Sequence, residues 1–279
     1  MREIDVKIVR ETVFDLFMSA CCEIGEDVMR LLQKGLEEER SPFGQEVLRQ
    51  LIENDRLAAQ RHMPICQDTG MAVIFMEVGQ DVHFIGGDLN DAIEEGVRQA
   101  YREGCFRASV LSSLQRINTK DNTPAIIHIS IVPGDRVKLT AAPKGFGSEN
   151  MSRLWMLTPS QGIEGVKDAV VETVRLAGGN PCPPVVVGVG VGGTAERAMQ
   201  MAKYSLTRDC GEPSDDPMLA DMERELLERI NNLGIGPQGL GGRVTALAVH
   251  IEQMPTHIAG LPVAVNMQCH AARHKTATI

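Results

Sequence analysis

The sequence predicts an α/β fold, with an N-terminal helical layer followed by a mixed β-sheet domain with packed helices. Two patterns carry this prediction. Apolar residues recur at spacings of three and four from Ile8 to Leu32 and again over Val47, Leu48, Leu51, Ile52 and Leu57, which marks amphipathic helices. Beyond residue 62, short β-branched runs alternate with helical stretches, and Gly and Pro punctuate them. The hydrophobic pattern runs from Val9 to Met267 without a linker. One domain over 1–279 is therefore expected, with 1–62 as the helical layer and 63–279 as the mixed α/β part.

The first helix spans Ile8 to Leu32, bent at Gly25, with Cys21 and Cys22 packed in its core face. Glu37-Glu38-Glu39-Arg40 reads as a solvated face, and Ser41-Pro42 as an N-cap with proline in the first turn. A second helix runs to about Gln60. Met63–Gly70 forms a loop feeding the strand Met71 to Val78. Asp88 or Asn90 caps a helix from about Leu89 to Arg102. The polar stretch Arg116–Pro124 reads as an exposed loop. Ala125 to Val132 and Arg136 to Ala142 read as strands joined by a tight turn at Pro133-Gly134-Asp135. Ile163 to Leu176 is helical and ends at Gly178-Gly179. A strand over Val185–Gly193, a helix over Thr194–Leu206 and another ending near Asn232 follow. The strands Val244–Gln253 and Leu261–Met267, connected through Pro255-Thr256-His257, close the pattern. Cys210, in a polar loop, reads as incidental.

The chain has 279 residues, 43% hydrophobic and 23% charged, which is ordinary for a globular protein. A net charge of −9 argues against nucleic-acid or anionic-membrane binding. No apolar run approaches the roughly 20 residues that span a bilayer, and the first residues lack a secretory core. A cytoplasmic protein is expected. The seven cysteines are an odd number, and no CxxC pair exists. In a reducing compartment they read as free thiols, ligands or catalysts rather than a disulfide framework.

Met63-Pro64-Ile65-Cys66-Gln67-Asp68-Thr69-Gly70 sets a thiol, an amide and a carboxylate on one Pro- and Gly-bounded turn, a rigid place for reactive groups. A plain connector with a buried cysteine is the competing reading. Lys144-Gly145-Phe146-Gly147-Ser148-Glu149-Asn150 combines flexible backbone donors with a charge, suited to an oxygen-rich ligand, although a glycine turn would look the same. Cys182 stands among Pro181, Pro183 and Pro184. The following Gly188, Gly190 and Gly193 match a dinucleotide fingerprint, but a polar loop stands where its second parallel strand should be. These glycines fit close packing or anion contact at the next helix. Gln268–His274 places Cys269 at a strand end beside His270 and Arg273. Cys66, Cys182 and Cys269 thus share one context, a turn at a strand boundary. Three scattered thiolates suit an iron–sulfur cluster better than zinc. Three ligands on four irons leave one iron open for Lewis-acid chemistry, which points to a hydro-lyase over an electron carrier.

Cys66–Gly70, Lys144–Asn150, Asn180–Pro184 with its glycine-rich sequel, and Gly234-Ile235-Gly236-Pro237-Gln238-Gly239 together resemble the iron–sulfur hydro-lyase family of class I fumarases, in order and over nearly the whole chain. The resemblance implies a [4Fe-4S] cluster on Cys66, Cys182 and Cys269 with one open iron. It implies dicarboxylate contact by Gln67, Asp68, Arg107, Gly145 and His257, with Asp68 the proton carrier at the leaving hydroxyl; Lys144 joins them as a binding charge. Single-chain members are about twice this length. The chain therefore looks like the α subunit of the two-subunit form, with a separate β subunit in an αβ-type heteromer, α2β2 being one such assembly. Hydration of fumarate to (S)-malate is the expected activity, dehydration of L-tartrate the sister alternative, and a non-catalytic iron–sulfur sensor or scaffold the alternative of another class.

Overall fold

Apolar side chains collect into two cores, and the computed structural model, which describes all 279 residues, divides into two compact units around them. One unit comprises Met1–Ile24, Asp55–Phe146 and Arg273–Ile279; the other comprises Gly25–Asn54 and Gly147–Ala272. In chain order the elements are β1 (Arg2–Asp5), α1 (Val6–Cys22), α2 (Glu26–Glu38), α3 (Pro42–Arg61), β2 (Met71–Gly79), β3 (Val82–Ile85), α4 (Leu89–Glu103), β4 (Ile126–Val132) and β5 (Val137–Lys144). There follow α5 (Phe146–Glu149), β6 (Arg153–Leu157), α6 (Gly162–Ala177), β7 (Val185–Gly193), α7 (Ala195–Ser205), α8 (Pro217–Asn231), β8 (Ala246–Thr256), β9 (Leu261–Gln268) and β10 (Lys275–Thr278). The fold class is α/β, as expected. Residues 1–62, read from sequence as one helical layer, contribute to both units.

In the first unit the main sheet has the order β10-β5-β2-β4. The near-continuous apolar run of β2 earns the centre, antiparallel to β5 and parallel to β4. Val9, Val13 and Phe17 of α1 join Ile93 and Val97 of α4 in one core with Ile74, Met76 and Leu139 of the sheet. The expected hairpin of β4 with β5 is corrected: both strands exist, but β2 lies between them. Their connecting turn passes over the end of β2, where Gly79 N–H donates to Arg136 O (2.8 Å) and Asp81 N–H to Gly134 O (3.0 Å). Burying β2 on both edges outweighs pairing between sequence neighbours.

The helix expected over Ile8–Leu32 is also corrected. It breaks at residues 23–25, because Glu23 and Gly25 are extended, and Gly25 becomes the N-cap of α2 with Glu26 and Asp27 in the first turn. Asp88 caps α4 by accepting from Asn90 and Asp91 N–H.

The second unit holds a sheet of order β6-β9-β7-β8. Val166, Val170 and Val174 of α6 and Leu226 and Ile230 of α8 pack on Val187, Val189, Val263 and Val265. Ala198 and Ala202 of α7 gather with Ala264 in a separate cluster. Side chains alternate along a strand, so α7 covers the opposite face. A Cβ on Gly188 or Gly190 would lie 2.1 Å from the carbonyl oxygen of Ala202 or Ala198, respectively. The fingerprint-like glycines therefore let α7 lie directly on the backbone of β7. β8 and β9, consecutive in sequence, are separated by β7.

Glu39 overturns the solvated-face expectation. It is 2% exposed, and its carboxylate accepts from the N–H groups of Arg40, Ser41, Arg243 and Val244. Burial pushes its pKa up, but those four donors, Ser41 and Val244 foremost, outweigh it and hold the group below its ordinary 4.5. Ser41 does cap α3, accepting from Gly44 N–H at 3.2 Å. Cys21 and Cys22 are buried as expected; Cys210, read as incidental in a polar loop, is buried as well, its N–H donating to Asp27. No helix is long and apolar enough to cross a membrane.

Candidate active site

The loop ahead of β2 is fixed residue by residue. Ile65 is buried and its N–H donates to Cys21 O (3.0 Å). Cys66 is half-buried, and its sulfur accepts from Asp68 N–H at 3.4 Å. The Asp68 carboxylate accepts from two backbone donors, Gly70 N–H at 3.0 Å and Phe146 N–H at 2.9 Å. Thr69 is buried; its hydroxyl accepts from Arg107 N–H (3.0 Å). The carbonyls of Thr69 and Gly70 both stand 3.0 Å from the Tyr101 hydroxyl, and Asn122 Nδ2 donates to the second of them at 3.1 Å. Arg273 Nη2 donates to the carbonyl oxygen of Asp68.

Gly70 is required by its conformation. Its φ is +81°, and a Cβ there would lie 2.7 Å from the Lys144 backbone. That close approach follows from register, since Met71 pairs with Lys144 where β2 meets β5. Lys144 and Gly145 are consequently beside the loop: a Cβ on Gly145 would be 3.3 Å from Asp68 Oδ2. Lys144 is buried at 4% exposure, whereas Gln67 and Arg107 are exposed. The structure thus brings Cys66, Gln67, Asp68, Arg107, Lys144 and Gly145 into one neighbourhood.

In the second unit, Val186 of β7 pairs with Gln268 of β9 in antiparallel register. The residues just before β7 and just after β9 therefore emerge at the same sheet end. Cys182 is there, exposed, at φ +56°, its carbonyl accepting from His270 N–H at 3.4 Å. Pro183 O accepts from Gln238 N–H at 2.7 Å and from its Nε2 at 3.0 Å, so the glycine-dense loop braces this turn. Cys269 follows β9 and is half-buried. His257 is elsewhere. It follows β8, whose Thr256 pairs with Gly193 at the far end of β7, a strand length of roughly 25 Å away. There it rims an apolar cavity of about 410 Å³ lined by Ile163, Val166, Met218, Met222 and Ile251.

Sequence reasoning missed Tyr101, Asn122 and Arg273. Asn122 lies in the stretch expected to be an exposed loop, yet it is 0% exposed; its amide oxygen also takes Ser109 N–H at 2.8 Å. A signal existed in the Asp-Asn-Thr-Pro sequence, since Asn tolerates the left-handed φ of 59° found there.

The thiols divide by environment. Burial pushes Cys21 up to about 12, with Arg273 pulling down and Cys22 pushing up; Cys22 is raised too, burial leading and Glu23 adding to it. Burial and Asp27 raise Cys210 further. Cys66, Cys182 and Cys269 are accessible, which leaves their sulfurs open to an incoming group. Their donor chemistry fits an iron–sulfur group. Cys105, at the end of α4, is accessible as well. Within either unit no three His, Cys, Asp or Glu side chains form a metal-holding group.

The turn at the start of β2 thus sets a carboxylate, able to carry a proton, beside a soft thiol donor, and the family match assigns that pair to the hydro-lyase class of lyases. Residues 10–278 match the family described as fumarate hydratase (Fumerase), and the chain belongs to that family. It is 43% identical over 271 residues, 95% of each chain, to the putative L(+)-tartrate dehydratase subunit alpha of Methanocaldococcus jannaschii. It is 32% identical over 255 residues to the L(+)-tartrate dehydratase subunit alpha of Escherichia coli K12, covering 90% of this chain and 84% of that one.

Proposed function

We propose that this chain is the α subunit of an iron–sulfur hydro-lyase that adds water to, or removes it from, a small dicarboxylate, working with a separate β subunit. The observation that carries the reading is the Asp68 carboxylate, fixed by Gly70 and Phe146 N–H beside the accessible Cys66 thiol. Cys66, Cys182 and Cys269 are assigned as ligands of a [4Fe-4S] cluster, which when bound supplies an open iron as Lewis acid for the substrate oxygens. Asp68 carries the proton: its carboxyl gives it to the departing hydroxyl in dehydration and takes it from water in hydration. Lys144, Arg107 and Gln67 are assigned to the substrate carboxylates, and the small Gly145 leaves space beside Asp68 Oδ2. His257, at the other end of its sheet, is given no part at the Cys182 and Cys269 end.

Fumarate hydration to (S)-malate is the first substrate reading, supported by the Lys144–Asn150 motif and the family description. L-tartrate dehydration is the second, favoured by the names of both relatives. The names also support the β partner, since each is an alpha subunit. The test is anaerobic co-purification with the β chain, iron and sulfide analysis, and parallel assays on fumarate and L-tartrate, with the α chain alone as control. The expected result is an iron-loaded pair that turns over one substrate, an α chain that turns over poorly, and an Asp68→Asn pair slower by about a hundredfold or more in kcat. An iron-free pair that cannot be reconstituted overturns the cluster, and unchanged turnover in Asp68→Asn overturns the proton role.

A further inference from the structure

Arg273 carries a permanent charge at 4% exposure. Its only hydrogen bond runs from Nη2 to the Asp68 carbonyl oxygen, while Nε and Nη1, both buried, meet no acceptor. Arginine normally enters an interior through a forked pairing with a carboxylate. Here the one carboxylate on the loop it touches, Asp68, is already bound to Gly70 and Phe146 N–H. The titratable groups that feel the Arg273 charge are Cys21, Cys22 and Tyr101. Burial is the largest influence on each and keeps all three protonated, so none offsets it. A desolvated cation without a counter-charge is strongly unfavourable, and the loop it grips carries Cys66.

We propose that Arg273 is the positioning residue of the Cys66–Gly70 loop: it pins the Asp68 main chain, and its unpaired charge is the counter-charge for an anionic cluster ligated through Cys66. This rests on the iron–sulfur reading above. Three thiolates on such a cluster leave net negative charge, and a fixed cation nearby favours both retention of the cluster and its reduction.

The test compares wild type, Arg273→Gln and Arg273→Lys as anaerobically reconstituted αβ complexes. Thermal melting, the rate of cluster loss to a chelator, the cluster midpoint potential, kcat and KM are measured. Arg273→Gln should lose its cluster roughly tenfold to a hundredfold faster and show a lower midpoint potential. Arg273→Lys keeps the charge without the fork; it should hold the wild-type potential while kcat falls about tenfold and KM stays within about twofold. A wild-type chelator rate and potential in Arg273→Gln, with only the melt lowered, makes the residue merely structural and overturns the proposal. If Arg273→Gln does not fold, Arg273→Lys decides: wild-type kcat overturns the proposal, reduced kcat at constant potential supports it. A wild-type complex that takes up no iron sinks the iron–sulfur reading itself, an outcome distinct from a loaded wild type with indifferent variants.

Discussion

The Asp68 carboxylate is held between two main-chain donors, one on its own loop and one 78 residues later at Phe146. Its reach is set by backbone rather than by a mobile side chain. That backbone depends on Gly70, so Gly70→Ala should destabilise the fold by about 1–3 kcal/mol, from forced left-handed φ alone, and more if the Lys144 strand shifts. Denaturant unfolding measures this, and a variant as stable as wild type would show that the turn adapts. Cys66, Gln67, Asp68 and Thr69 were legible because they are contiguous and bounded by Pro and Gly. Their supports were not, since Tyr101, Asn122 and Arg273 reach the loop across 32, 52 and 205 positions. No local spacing encodes such contacts.

Helices were legible from apolar spacing, and most ended within a few residues of expectation. Strand positions were legible as well, but partners were not. β4 and β5, and again β8 and β9, follow each other in sequence yet are each split by a central strand. The winning factor is burial: β2, apolar but for Glu77, and β7, apolar throughout, fit best at a position covered on both sides. The glycines of β7 make the same point. Gly190→Ala would set a Cβ 2.1 Å from Ala198 O, so α7 must lift from the sheet. An expected fall of about 1–3 kcal/mol, as for overpacking, is readable by thermal melting; an unchanged melt would mean that α7 is not seated on β7.

At the scale of the molecule, acid stability should pass through Glu39. Its folded pKa is below the ordinary 4.5, so it contributes stability that is present above the unfolded value and is lost as pH falls through the folded one. Glu39→Gln should therefore lose roughly 2 kcal/mol at neutral pH and show a flatter stability profile below about pH 5; denaturant titrations across pH check both. An unaltered profile would mean that Glu39 is not coupled to acid unfolding. The order of the motifs made the family legible, and the match over residues 10–278 bears that out. The division into two units was invisible, because residues 25–54 and 273–279 belong to units made chiefly of segments remote from them in sequence. The Arg273 contact also has a bearing on biosynthesis. At about 5–20 residues per second, a ribosome needs roughly 10–40 s to travel the 205 positions from Asp68 to Arg273. Throughout that interval the nascent loop lacks its final clamp, so it is fully locked only after nearly all of the chain has been translated.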